Sequence, residues 1–249
     1  MTKPLGQPLF LDRLLKVMDR KHHWAWPHFT ENSLSKETLK IHFQQEYAVY
    51  VRDFPVFLAR ILGKGPPRDV RTQLALNIYE EETGGFSFNQ SHPNLFLTMM
   101  EGLGYDRTIF DDVALLPASR AYRSWLDRVS LASDWRLGVA ALTIFVEGSV
   151  KDRQEIQSPS APKSAEEIER IIQQHPLVQH YGISPDKLDL IRAHQLVEAG
   201  HRHSAYEMTL AHAVTNTHQS AVLRCLAEAL KRWLRFRDGV ARACGLRKP

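Results

Sequence analysis

Two imidazoles and a carboxylate fall on one stripe of a helix in the last quarter of this sequence. In His194-Gln195-Leu196-Val197-Glu198-Ala199-Gly200-His201, a helix turning about 100° per residue brings steps of four and seven back to about 40° and −20° from the start. His194, Glu198 and His201 therefore share a face. That donor set suits a borderline transition metal such as iron. Glu198 and His201 also make a Glu-x-x-His pair, the spacing that carboxylate-bridged dimetal bundles direct inward. A solvated polar stripe is the competing explanation.

Further donors stand elsewhere. Tyr79-Glu80-Glu81-Glu82-Thr83-Gly84-Gly85 reads as a helix end, and His92 opens the next helix. Three adjacent glutamates at a helix C-terminus oppose the macrodipole, a conflict eased if one of them faces a cation. A solvated acidic end is the alternative. Glu147 follows Gly138-Val139-Ala140-Ala141-Leu142-Thr143-Ile144-Phe145-Val146, a stretch apolar on all sides and hence expected at the centre of the molecule. A carboxylate there is costly unless paired or metal-bound. Lys151, one turn on, is the ordinary ion-pair candidate.

The elements that must position these groups read as helical nearly throughout. Leu9 to Met18 is amphipathic. Ser33-Leu34-Ser35-Lys36-Glu37 starts a helix over Thr38 to Leu62, with a kink expected at Pro55. Pro66-Pro67 opens a helix to about Thr83, stopped by Gly84-Gly85. His92-Pro93 starts another, closed by Gly102 to Gly104. Pro117 to Ser130, Asp134 to about Ile156, Pro185 to about Val214 and Gln219 to Ala243 complete an all-α bundle of roughly eight helices in a single domain over residues 1–249. Gln157 to Lys163 is a loop, and no segment alternates like a hairpin strand.

The bulk properties fit a soluble protein. Of 249 residues, 43% are hydrophobic and 24% charged, with a formal net charge of +4. The basic residues are dispersed, so no nucleic-acid partner is expected. The longest apolar stretch, Val139 to Val146, is too short to span a bilayer, and no membrane partner is expected. Two cysteines, Cys225 and Cys244, and no secretory leader point to the cytoplasm.

The residues quoted above, with Leu34-Ser35-Lys36-Glu37-Thr38-Leu39 and Phe54-Pro55, resemble the haem-oxygenase-like diiron oxidases and oxygenases, in the CADD-like branch of the TenA/PqqC family. The resemblance spans about residues 10 to 205. It implies a haem-oxygenase-like helical bundle and six metal ligands: Glu81, His92, Glu147, His194, Glu198 and His201. It also implies two iron ions, with manganese/iron as the compatible alternative, and dioxygen as cosubstrate. The expected activity is that of a non-haem diiron oxidase or oxygenase. It would act through a peroxo-diferric intermediate on an amino acid, amine or carboxylate. Tyr47 and Lys151 are its catalytic candidates, and Arg52 and Arg192 its further substrate-contact candidates. Each of the four is more often an ordinary surface or helix-pairing residue. A homodimer and an external electron donor fit the resemblance as partners.

Two departures bear on the reaction. The loop from Glu81 to His92 is longer than in the CADD-like branch, which alters one wall of the pocket. Trp26 stands where that branch consumes a tyrosine to make p-aminobenzoate, although Tyr47 keeps a second aromatic. Trp24 and Trp26 are otherwise expected in the core. His203, His212 and His218 are expected to be structural or on the surface. Cys225 and Cys244 lie outside the mid-chain region where thiaminases carry their nucleophile. A cofactorless PqqC-like oxidase, in which the acidic residues serve structure only, and an interaction protein are the alternatives.

Overall fold

The computed structural model describes residues 3–31, 34–159 and 161–248; within 197–201 it describes the helical backbone and no side chains. The helices are α1 (Gln7–Met18), α2 (Trp26–Thr30), α3 (Lys36–Glu46), α4 (Phe54–Leu62), α5 (Arg68–Thr83), α6 (His92–Gly102), α7 (Pro117–Ser130) and α8 (Trp135–Val139). They continue with α9 (Asp152–Gln157), α10 (Ala165–Gln173), α11 (Pro176–Tyr181), α12 (Asp189–His212) and α13 (Asn216–Ala243). Two π-helical segments, π1 (Tyr47–Val51) and π2 (Ala140–Val146), follow α3 and α8 directly. Among the described residues there is no strand, and no helix is long and apolar enough to cross a membrane.

The centre of the molecule is α8 with π2. Val139 through Ile144 and Phe145 are buried, as the all-round apolarity of this stretch requires. α13 packs along π2, α7, α1 and α3, while α12 lies against π2, α6, α5 and α10, and α4 packs on α5. Phe10, Leu14, Phe57, Tyr122 and Phe236, all essentially inaccessible, interlock these layers. Each such side chain contributes about 1.5–3 kcal/mol by leaving water.

Several helix ends follow directly from sequence. Ser35 caps α3 by accepting the Thr38 amide, and Ser91 caps α6 through the Asn94 amide. Gly84 ends α5 in the left-handed region at φ 60°, where a side chain is disfavoured.

The structure departs from the sequence expectation at two long helices. The stretch Thr38 to Leu62 is not a single helix kinked at Pro55. α3 widens into π1, breaks at Arg52-Asp53, and α4 starts afresh with Pro55 in its first turn. Proline lacks the amide that a continuing helix needs, but in a first turn that donor has no partner to lose. The stretch Asp134 to Ile156 is likewise divided. The chain leaves π2 at Glu147, and the buried Asp152 carboxylate captures the Ser149 amide at 2.7 Å before α9 begins. With α2, α10 and α11 added, the bundle has more segments than the eight expected.

Candidate metal centre

At the C-terminus of α5 three glutamates divide by exposure. Glu80 is fully buried, Glu81 is partly buried and Glu82 is exposed. Glu80 accepts the Phe86 amide at 2.7 Å and the Ser87 hydroxyl, and so closes the turn that begins at Gly84. A Cβ on Gly84 would lie 2.3 Å from the Gln90 carbonyl oxygen, so this tight return needs glycine. The turn brings His92, at the first position of α6, back over the acidic end of α5.

His92 is the hinge of the cluster. Its Nε2 lies 3.2 Å from Glu80 Oε1, and its Nδ1 lies 3.0 Å from Glu81 Oε1. Nδ1 is buried and makes no aligned hydrogen bond; the contact with Glu81 is close without being directed. Burial lowers the His92 pKa, but the facing Glu81 and Glu80 carboxylates outweigh it and the net shift is upward. Burial also works to raise the Glu80 pKa; hydrogen bonds from Ser87, the Phe86 amide and His92 prevail and hold it below its usual value. The His92 ring meets the ring of His194 on α12 edge-on, with centroids 5.3 Å apart.

Glu147 joins from the end of π2. Its amide bonds to the Leu142 carbonyl five residues back, the wide spacing of a π turn. Its Oε1 accepts from Nδ2 of the buried Asn77 at 2.8 Å. Asn77 stands one turn before Glu81 on α5, so α5 carries both the partner of Glu147 and the partner of His92, which in turn meets His194. Gly148 makes this exit from π2 feasible. A Cβ there would stand 2.3 Å from the Ile144 carbonyl oxygen and 2.4 Å from Asp152 Oδ2.

Glu198 and His201 lie on α12 one and two turns beyond His194, and their side chains fall outside the described residues. Among the described residues no three or more His, Cys, Asp or Glu side chains form a group that could hold a metal ion. The arrangement nonetheless suits a metal in one respect. A buried imidazole presents one nitrogen beside a carboxylate without a directed hydrogen bond, while its other nitrogen is held by a second carboxylate. Metal-bound histidines are held in that way.

The chain belongs to the family of iron-containing redox enzymes. The family's model matches residues 41–234, which include all six proposed ligands. The chain is 25% identical over 237 residues to a 4-aminobenzoate synthase of Chlamydia muridarum, covering 92% of this chain and 89% of the relative. Two solved structures share the fold. One is a TenA homologue from Pseudomonas syringae pv. tomato, with a TM-score of 0.66 at 14% identity, covering 97% of this chain and 99% of the other. The second is a domain of unknown function with a haem-oxygenase-like fold from Shewanella denitrificans, with a TM-score of 0.64 at 16% identity, covering 95% and 89%. The fold is therefore haem-oxygenase-like.

Within this iron-containing redox enzyme the remaining candidates fall into separate places. Tyr47 is buried in π1 and stacks on Phe96, one turn along α6 from His92, with ring centroids 5.3 Å apart. Lys151 is exposed at the start of α9. Arg52 pairs with Asp53, and Arg192 forks onto Glu169, both toward the surface. His203 faces Glu207 in the open, and His212 pairs with Asp69. Trp26 is 40% exposed rather than in the core. Glu80, Asn77 and Gly148 are the residues that sequence reasoning passed over. Glu80 carried a signal, because a three-glutamate run can bury only the member facing the next helix; Asn77 and Gly148 carried none.

Proposed function

We propose that this iron-containing redox enzyme is a non-haem diiron oxidase or oxygenase that activates dioxygen toward a small amine, amino acid or carboxylate. Glu81, His92, Glu147, His194, Glu198 and His201 would be its ligands. One observation carries the reading: the buried His92 Nδ1, close to Glu81 and facing the His194 ring, with Nε2 held by Glu80. When bound, the metal pair would supply the reduction of dioxygen and the oxidising power.

The chain's own residues do the rest. Glu80 would accept a hydrogen bond from Nε2–H and so favour the tautomer that leaves the Nδ1 lone pair for the metal. Asn77 holds one Glu147 oxygen and limits the angles its carboxylate can take. π2, buried from Ala140 to Phe145, limits water access on the Glu147 side.

The test is anaerobic Fe(II) loading followed by metal analysis. About two irons per chain are expected, with less than half that content in Glu147→Ala and His194→Ala variants that keep the wild-type circular dichroism. Oxygen uptake dependent on an added amine or amino acid would then define the substrate. A folded chain that takes up no iron but still consumes oxygen with a substrate would replace this reading with a cofactorless oxidase.

The similarity to the Chlamydia muridarum 4-aminobenzoate synthase favours a second reading, in which the chain makes an aminobenzoate. Trp26 in place of a consumed tyrosine weighs against a self-sacrificial route. Release of 4-aminobenzoate from iron-loaded protein without added substrate, seen by mass spectrometry, would decide for it.

A further inference from the structure

Glu147 is flanked by Val146 and Gly148, and both of these line a cavity that neither Glu147 nor Asn77 lines. The cavity has a volume of about 330 Å³, at the small end of the range for organic-ligand sites. Its walls come from the α1–α2 connection and the start of α2, from α3, π1 and α7, from the end of π2 with the segment that follows it, and from α13. None of the described donors that form the candidate metal centre lines it.

The chemistry of the walls is specific. Arg237 on α13 is 2% exposed and stands 5.1 Å from the Trp26 ring and 5.2 Å from the Trp233 ring. Its Nη2 donates to Glu46 and to the Tyr50 hydroxyl, and its Nη1 lies 3.4 Å from His42 Nδ1. Its Nε is buried with no hydrogen-bond partner. Tyr122, 1% exposed, also lines the cavity. Lys21 completes the polar wall. Its ammonium donates to the carbonyls of Phe145 and Gly148 at 2.5 Å and of Val146 at 3.1 Å.

The charges lining the cavity are Lys21, Arg237 and Glu46. Glu46 is bound to Arg237, and one positive charge is left over. Burial brings the Lys21 pKa down to about 8, against the opposing pull of Asp152 and Glu46, so at neutral pH Lys21 remains mostly protonated. The surplus positive charge, the unpartnered Arg237 Nε and the Tyr122 hydroxyl call for an anion with hydrogen-bond acceptors. Trp26, Trp233, Tyr50 and Tyr122 call for a flat apolar body.

We propose that this cavity binds a small carboxylate with an aromatic or similarly planar body, its carboxylate accepting from Arg237 Nε and the Tyr122 hydroxyl beside the Lys21 charge. The exposed edges of Trp26 and Val150 mark the entry. The site stands apart from the metal reading, because none of the described candidate ligands forms its walls.

The experiment uses the full-length, metal-free chain, with 2-naphthoate and benzoate as probes and 2-naphthamide and benzamide as neutral counterparts. Trp26 and Trp233 report binding through their fluorescence, and calorimetry gives the stoichiometry. Saturable binding of one carboxylate per chain is expected, about tenfold or more tighter than the matching amide. Tyr122→Phe, which removes only an oxygen, should weaken carboxylate binding about three- to tenfold and amide binding by less. Lys21→Met should remove most of the carboxylate preference. Equal affinity for acid and amide, binding unaltered in both variants, or no saturable binding to the folded wild-type chain would each overturn the proposal. None of these outcomes touches iron uptake.

Discussion

His92 has a carboxylate at each ring nitrogen, and the two have different surroundings. Glu81 is partly open and makes a close but undirected contact, whereas Glu80 is buried and saturated with hydrogen bonds. The partner on Nε2 governs how well Nδ1 can serve as a donor. Glu80→Gln keeps the shape and loses the charge, and is expected to lower metal affinity about 10- to 100-fold. Titration with Co(II), followed by its visible absorption, measures this. Glu82→Gln, on the exposed neighbour, should bind as the wild type does. At this scale the sequence was informative about residue type and less so about role. The run Glu80-Glu81-Glu82 announced that an acid would face inward, but which one turns on rotation about the helix axis and on the tight turn at Gly84. Lys151 and Tyr47 show the same limit. Both are chemically able, yet one is exposed and the other is stacked in an aromatic layer.

The elements that carry the donors owe their shape to a few backbone constraints. Gly148 lets the chain pass between the Ile144 carbonyl and the Asp152 carboxylate. Gly148→Ala must displace one of them and is expected to cost about 1–3 kcal/mol, read as a lowered urea midpoint. Because Glu147 is the preceding residue, iron content should fall in the same variant. The expected helices of α5, α6, α7 and α13 appear close to their anticipated limits, since proline starts, glycine stops and long amphipathic repeats are local signals. The breaks after π1 and π2 were not legible. A wide turn has no residue signature of its own, and apolar residues continue through both. α10 is a different case. Ser164 and Glu167 form a reciprocal capping box at its start, a pattern the sequence displays openly but which a short helix after a low-complexity loop obscured.

Across the whole molecule, α3 and α13 are tied by a buried network of Glu46, Arg237, His42 and Tyr50. Burial acts to raise the Glu46 pKa, but Arg237 and His42, with the Tyr50 hydroxyl, hold it well below the usual carboxylate range. A carboxylate depressed in the folded state stabilises the fold above its unfolded pKa, near 4.5, and that contribution fades as pH falls from there through the folded value. Glu46→Gln also leaves Arg237 unpaired, so a loss of about 3 kcal/mol or more is expected at pH 7. The gap between wild type and variant should narrow as urea unfolding is repeated from about pH 5 down to about pH 2. A gap that stayed constant would mean that Glu46 is not held ionised.

The winding of π2 makes the aim of Glu147 a matter of arithmetic. A π segment holds a residue more than an α-helix needs to cover the same turns. Without Thr143, for example, the segment could relax to ordinary winding and the residues beyond it would keep nearly the same phase. A further residue added to the segment has no such slack to use: it would turn everything beyond it by about 100°, and the Glu147 carboxylate would swing off the side shared with Asn77 even though no residue touching it had changed. Substitutions along 140–146 can therefore be absorbed as packing defects and a one-residue deletion as a return to α winding, while a single insertion there redirects the carboxylate.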